Sequence, residues 1–312
     1  MKYAIGIDIG GTITKIGLVS KDGKCIKKTS FRTKELNKFS DYIKKLNKSI
    51  DKISLQNIDI SGIGIGAPNA SKNGTIETPA NLNWKGKLNL VEKLKEDNNL
   101  PIFLSNDANC AAVGEMMYGN AKSLNDFIVI TLGTGLGSGI VSNGMLVEGS
   151  DGFAAELGHY SINNMGRYTG LDVQGGLEAY VSATGIKRTI MYMLSRYMND
   201  SIFRNISFND LHGEDITKAA EKNDFIAIKA YEYTGKILGE ALSNFVSFSQ
   251  PEAIILTGGL VHSGKWILEP TKTSFENNLL PFYRGKVKIL TSGLEDKDSA
   301  ILGSAALVWK NI

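Results

Sequence analysis

The chain is poor in the residues that mark several functional classes. It has two cysteines in 312 residues, Cys25 and Cys110, far apart and in different contexts. Two such residues do not make a disulfide framework, and a reducing, cytoplasmic setting is the simpler expectation. No apolar run approaches the roughly 20 residues that a membrane span needs, so no membrane partner is expected. A strand pattern starts at once, with no signal peptide expected ahead of it. Charge of one sign is missing too. Lys+Arg is 35 and Asp+Glu is 32, leaving a formal +3. That is too little to imply nucleic acid or a membrane surface as partner. The densest basic runs, 24–28 and 44–48, read as solvated faces. There is no low-complexity segment and no short-period repeat. What is there is an ordinary globular composition, 42% hydrophobic and 21% charged. It suffices for one large or two ordinary domains with a substantial core.

Periodicity predicts an opening meander: strands at 3–9 and 13–19 around Gly10-Gly11-Thr12, a hairpin turn at Asp22-Gly23, and a third strand at 25–31. Phe39, Ile43, Leu46 and Ile50 have helical spacing, which predicts a helix over 39–53. A buried strand at 58–65 ends in Gly66-Ala67-Pro68. A short helix is predicted over 90–96, a strand over 102–105 and a helix over 108–118. A second meander repeats the layout of the first: strand 127–132, Gly133-Thr134-Gly135, strand 137–142, the Asn143-Gly144 turn, and strand 145–148. Helical patterns dominate 177–249. A strand at 253–256 ends in Thr257-Gly258-Gly259, and a helix over 299–310 closes the chain. Two halves of one layout predict a duplicated α/β architecture.

Five constellations carry chemistry. In Asp8-x-Gly10-Gly11-Thr12-x-x-Lys15 the glycines let backbone N–H groups turn toward an anion. Asp8 suits Mg²⁺, through water, because that ion keeps several waters. Lys15 is either a phosphate counter-charge or a surface group. A strand follows these glycines, so this is not the strand–loop–helix phosphate loop. An ordinary glycine hairpin would look the same in isolation. The second constellation, Gly133-Thr134-Gly135-Leu136-Gly137-Ser138-Gly139, weakens a strand pair with alternating glycines. A phosphate approaching the backbone would offset that, and two such turns would grip a polyphosphate from both sides. Third is Asn106-Asp107, at a strand end and helix start. Asp107 is either an N-cap or a general base that accepts the proton of an attacking hydroxyl. Fourth is Glu156-x-x-His159 with Glu178, a carboxylate and an imidazole on one helical turn. These suit a sugar, or else a surface pair and a core histidine. The 79–84 loop adds the Asn81 and Asn83 amides and the Trp84 ring, suited to a sugar face or to a capped turn. Fifth, Gly258-Gly259 at a strand end leaves room for a flat ring such as adenine.

In chain order, Ile7-Asp8-Ile9-Gly10-Gly11-Thr12, Gly66-Ala67-Pro68, Asn81-Leu82-x-Trp84, Asn106-Asp107-Ala108-Asn109, Gly133-Thr134-Gly135, Glu156-Leu157-Gly158-His159, Leu177-Glu178-Ala179-Tyr180 and Gly258-Gly259 resemble the ROK family of bacterial sugar kinases (repressors, open reading frames, kinases). The resemblance covers essentially the whole chain. It implies an actin-like ATPase (ribonuclease H-like) α/β fold of two lobes with an interdomain cleft that closes on the sugar. The lobes would be residues 1–106, joined by the C-terminal helix 297–312, and residues 107–296. It implies an ATP- and Mg²⁺-dependent kinase acting on the 6-hydroxyl of a hexose, with Asp107 as catalytic base. Gly66, Ala67, Asn81, Asn106, Glu156, His159 and Glu178 would contact the sugar. Gly10, Gly11, Thr12, Gly133, Thr134 and Gly135 would hold the ATP phosphates, Gly258 and Gly259 the nucleoside, and Asp8 the Mg²⁺.

Glucose is the leading substrate that the resemblance implies. N-acetylmannosamine, N-acetylglucosamine, mannose, fructose and allose are the alternatives, and polyphosphate is an alternative donor. Regulators of the family carry a winged-helix segment ahead of the kinase-like part. With Asp8 almost at the start, that arrangement is not expected here, and intact Asp107 and glycine turns argue against a non-catalytic sugar binder. A homodimer or homotetramer is implied. One departure stands out. Most members carry a Cys-x-Cys-Gly-x-x-Gly-Cys zinc motif before Leu-Glu-Ala-Tyr. Here Thr169, Leu171 and Gly176 occupy the three cysteine positions, and none can supply a thiolate. No structural zinc is expected, and His159 must be oriented by packing and hydrogen bonds.

Overall fold

The computed structural model describes residues 2–54, 58–79, 81–295 and 297–312. Its opening meander follows the pattern of turns. β1 (Lys2–Ile9) pairs antiparallel with β2 (Ile13–Ser20), and β2 with β3 (Cys25–Arg32). Gly23 makes the connecting turn at a φ of 86°, and its N–H donates to the Ser20 carbonyl. α1 (Phe39–Ile53) then leads to β4 (Asp59–Gly66), parallel to β1. Two short strands, β5 (Ile76–Glu77) and β6 (Lys87–Leu88), pair with each other. α2 (Leu90–Lys95) precedes β7 (Ile102–Ser105), which lies parallel to β4, and α3 (Asp107–Met117) follows. The sheet order is β3-β2-β1-β4-β7.

The second meander is β8 (Phe127–Leu132), β9 (Leu136–Ser142) and the short β10 (Met145–Leu146). Four helices fill the helical stretch: α4 (Glu178–Val181), α5 (Ala183–Arg196), α6 (Gly213–Glu221) and α7 (Phe225–Ser249). β11 (Ala253–Thr257), α8 (Lys265–Asn278), β12 (Lys288–Thr291) and α9 (Ser299–Asn311) complete the chain. β11 runs parallel to both β8 and β12. The second order, β10-β9-β8-β11-β12, repeats the first: a meander, then two further strands on the side of its first strand. Duplication of the α/β layout is therefore present strand for strand. Among the described residues, no helix is long and apolar enough to cross a membrane.

The chain divides into two compact units. One holds Met1–Asn125, Gly139–Ala155 and Ser292–Ile312; the other holds Asp126–Ser138 and Glu156–Thr291. This differs from the expected boundary after residue 106. The reason is α3, which packs closely on α9: a Cβ at Gly303 would meet the Cys110 carbonyl oxygen at 2.5 Å. Residues 107–125 thus stay with the first unit, and the division runs through β9.

In the first unit, α1 buries Tyr42, Leu46, Ile50 and Ile53 against Ile5, Ile7, Ile16 and Leu18 of the sheet. Thr14 of β2 hydrogen-bonds Thr33 (2.8 Å) and Tyr42 (3.1 Å), so the polar atoms in this core are partnered. Elsewhere in the unit, α9 packs Ile301, Leu302, Ala305 and Val308 with Ala4 and Val19. A Cβ at Gly6 or Gly64 would overlap backbone oxygens of α9, so its closeness requires glycine there. In the second unit α7 and α8 pack as closely. A Cβ at Gly239 would stand 2.5 Å from the Thr271 carbonyl oxygen and 2.6 Å from the Phe275 nitrogen.

Candidate active site

The expected site residues fall on both units, and each set is built by its own. In the first, β1 ends at Ile9 and delivers Asp8 half-buried beside a tight turn. The Gly10 N–H donates to the Ile13 carbonyl (3.1 Å), and the Thr12 carbonyl accepts from Thr33 N–H (2.9 Å). Gly11 lies on the Asn81 backbone so closely that a Cβ would overlap the Asn81 carbonyl oxygen. The turn therefore brings Asn81 to the phosphate-type loop. Ala80, in the same 79–84 loop, lies outside the described residues.

β7 ends at Ser105, and α3 starts at Asp107. Its N-cap is Asn106, whose Oδ1 accepts from Asn109 N–H at 2.6 Å. Asn106 therefore caps α3, and Asp107 is not the cap. One Asp107 oxygen accepts from Ala108 N–H at 2.8 Å. The side chain reaches solvent, but protein surrounds it closely, and this burial pushes its pKa above the ordinary carboxylate value. Asp8 is pushed up to about 6, first by burial, then by the Asp107 charge, with Lys15 pulling the other way. Lys15 stands opposite Asp8 in the β1–β2 register, an assignment that strand pairing alone could have supplied. Asp8, Asp107 and Lys15 thus form one electrostatic group.

Two expected sugar contacts are narrowed by what they already bond. Ala67 N–H donates to the Ser105 carbonyl at 3.0 Å, so that N–H is already engaged. Asn106 has one side-chain atom engaged in its cap. Trp84 is not a sugar platform. It is 5% exposed, its ring centroid lies 4.5 Å from Tyr42 and 5.4 Å from Phe39, and its Nε1–H donates to the Leu36 carbonyl. An indole needs a partner for its N–H when buried, and this one has found it in the core.

In the second unit the Gly133–Gly135 turn closes on itself, Gly133 N–H donating to the Gly135 carbonyl (3.0 Å). Thr134 is exposed, and a Cβ at Gly133 would meet nothing within 4 Å. Glu178, the first residue of α4, braces this turn. Its Oε2 accepts from Leu136 N–H (3.0 Å) and its Oε1 from Gly170 N–H (3.1 Å). Glu156 precedes a single 3-10 turn, Leu157–His159, rather than the α-helical turn expected. That turn is tied to β9 where Leu157 N–H donates to Ser138 Oγ (3.1 Å). His159 is half-buried, with its Nδ1 3.3 Å from Thr169 Oγ1, a partner the sequence did not single out. Gly258 follows β11 at a φ of 96°, and a Cβ there would stand 2.6 Å from the Leu132 carbonyl oxygen. Gly258 therefore has a backbone reason to be glycine, whereas a Cβ at Gly259 would meet nothing within 4 Å. Among the described residues, no three His, Cys, Asp or Glu side chains gather as a metal site.

Comparison with known proteins bears on the family and the fold. A profile of the ROK family matches residues 4–311. The chain is 30% identical over 311 residues to a glucokinase of Thermotoga maritima, covering 99% of this chain and 98% of that protein. It is 27% identical to a xylose repressor of Bacillus spizizenii, covering 98% of this chain and 77% of the repressor. Among solved structures, the ROK glucokinase of Streptomyces griseus in complex with glucose and AMPPNP superposes with a TM-score of 0.82. The two are 28% identical, over 99% of this chain and 100% of that one. The two-sheet α/β fold is thus that of the ROK sugar kinases, the actin-like ATPase fold expected.

Proposed function

This chain belongs to the ROK family, and from that premise we propose that it is an ATP-dependent hexose kinase with Asp107 as general base and glucose as its leading substrate. The observation that carries the reading is the Asp8–Asp107–Lys15 group. Phosphoryl transfer to a hydroxyl needs a carboxylate that takes the hydroxyl proton, set among charges that position and neutralise a polyphosphate. Asp107 is freed from capping by Asn106, and burial raises its pKa, which strengthens it as a base.

Two carboxylates and one lysine leave this group short of positive charge, which a divalent cation would supply. Asp8 fits a hard cation that keeps most of its waters, because its carboxylate is a hard oxygen donor beside the Asp107 charge. When bound, Mg²⁺ would offset the charge of the phosphates. The Gly10–Thr12 and Gly133–Gly135 turns are assigned to the phosphates and Gly258-Gly259 to the nucleoside. Open space over Gly133 and Gly259 supports this. Asn81, Asn106, Glu156, His159 and Glu178 are assigned to the sugar, with backbone help from Gly66 and Ala67.

The test is ADP release measured with glucose, mannose, fructose, N-acetylglucosamine and N-acetylmannosamine, compared by kcat/KM. Glucose is expected to lead. A hydrogen bond made to one epimer and missing in another separates such substrates strongly. No ADP release with any of them would overturn the kinase reading.

A further inference from the structure

We infer that Thr169 is a positioning residue that fixes the His159 ring in one tautomer, with the proton on Nε2. The inference rests on the preceding reading for what His159 then does, but not for how the ring is held.

A threonine hydroxyl has two acceptor sites and one hydrogen. Both acceptor sites are filled from the backbone: Leu171 N–H donates to Thr169 Oγ1 at 3.3 Å, and Val173 N–H donates to it at 3.2 Å. The one capacity left is its own O–H, and His159 Nδ1 lies 3.3 Å away. The hydroxyl therefore donates and Nδ1 accepts. A neutral imidazole whose Nδ1 accepts carries its proton on Nε2. His159 then presents a donor at Nε2, complementary to the oxygen of a sugar hydroxyl.

The surroundings are built for this bond. Thr169 is 5% exposed, so water does not compete freely for its hydroxyl. The loop closes on itself, with Thr169 N–H donating to the Val173 carbonyl (3.0 Å) and Asp172 N–H to the Thr169 carbonyl (3.2 Å). Asp172 takes a φ of 58° to make that closure. Gly176 lies so close that a Cβ would overlap the Thr169 methyl group. Three positions thus serve one hydrogen-bonded node: Thr169 gives the hydroxyl, Leu171 an N–H, and Gly176 the space. The same loop sends Gly170 N–H to Glu178, so the node sets His159 and Glu178 relative to one another.

The experiment is nitrogen NMR of [15N]histidine-labelled protein near pH 8, where three histidines keep the spectrum simple. Wild type, Thr169→Ser and Thr169→Val are compared, with circular dichroism and Tm as folding controls. Wild type and Thr169→Ser should show His159 with a bare Nδ1 and a protonated Nε2. Thr169→Val should show mixed tautomers and a sugar KM raised about tenfold, with kcat changed far less. A wild-type His159 protonated on Nδ1 overturns the inference. So does a folded Thr169→Val protein that keeps the Nε2–H tautomer. If Thr169→Val fails to fold, the wild-type and Thr169→Ser spectra decide alone. If no sugar is phosphorylated, the kinase reading falls while the tautomer result still decides this one.

Discussion

At the scale of single residues, the site turns on two carboxylates held against their own charge. Asp8 has a folded-state pKa of about 6 against 3.8 for the ordinary carboxyl. Between those values the folded protein holds a proton that the unfolded chain has lost. Stability therefore falls as pH rises from about 4 to 6, and stays lower above. At about 1.4 kcal/mol per pKa unit, keeping Asp8 ionised costs on the order of 3 kcal/mol. Asp8→Asn should accordingly raise Tm at pH 7.5 by several degrees, while cutting kcat by about 100-fold or more. An unchanged or lower Tm would contradict the strain. Asp107→Ala should cost about three orders of magnitude or more in kcat, with sugar binding still measurable by calorimetry; near-normal turnover would remove Asp107 from its role. Asp8 must be ionised to hold a cation, so kcat/KM should fall on the acid side near pH 6. A profile flat down to pH 5 would speak against it. The Asn106-Asp107 pair was visible in the sequence, but which member caps α3 was not, because either side chain suits the position. Trp84 stayed open between two readings for a related reason: an indole reads alike on a sugar face and in a packed turn, and only its neighbours Phe39 and Tyr42 separate the two.

At the scale of elements, the same residue type does opposite jobs. Gly64 in β4 is glycine because α9 lies on it, and a Cβ would overlap the Ser304 carbonyl oxygen. Gly133 meets nothing within 4 Å, so packing does not demand it. Gly64→Ala should lower stability by about 3 kcal/mol or more, since backbone must shift to admit the methyl. Gly133→Ala should leave Tm nearly unchanged and raise KM for ATP about tenfold if phosphates approach that backbone. Equal effects of the two on Tm would erase the distinction. Sequence spacing located both glycines in strand contexts but could not sort them, because the partner of Gly64 lies some 240 positions away in the chain. The strands and helices with regular periods were legible: α1 begins and ends where its apolar spacing does. α8 was not, because Pro270 interrupts its period. Pro270 is accommodated against Gly235 of α7, where a Cβ would come within 2.7 Å of the proline ring.

At the scale of the whole molecule, the duplicated layout was readable because tight-turn chemistry marks each meander, at Asp22-Gly23 and again at Asn143-Gly144. The division into units was not, because the chain crosses between them four times and its last helix packs on its first sheet. α9 covers Ala4 and Val19 with Ile301, Leu302, Ala305 and Val308, none more than 7% exposed. Burying a large aliphatic side chain is worth about 1.5–3 kcal/mol, so these contacts together supply roughly 5–10 kcal/mol. Typical domains hold a net stability of about 5–15 kcal/mol in all. Removing residues 299–312 should therefore abolish folding of the first unit rather than trim its end. The site would go with it, since β1 carries Asp8 and α3, which packs on α9, carries Asp107. The check is circular dichroism, amide proton dispersion and ADP release of the truncated chain beside the intact one. A truncated protein that stays cooperatively folded and active would mean that α9 is an accessory, and that β1 and β4 hold the site without it.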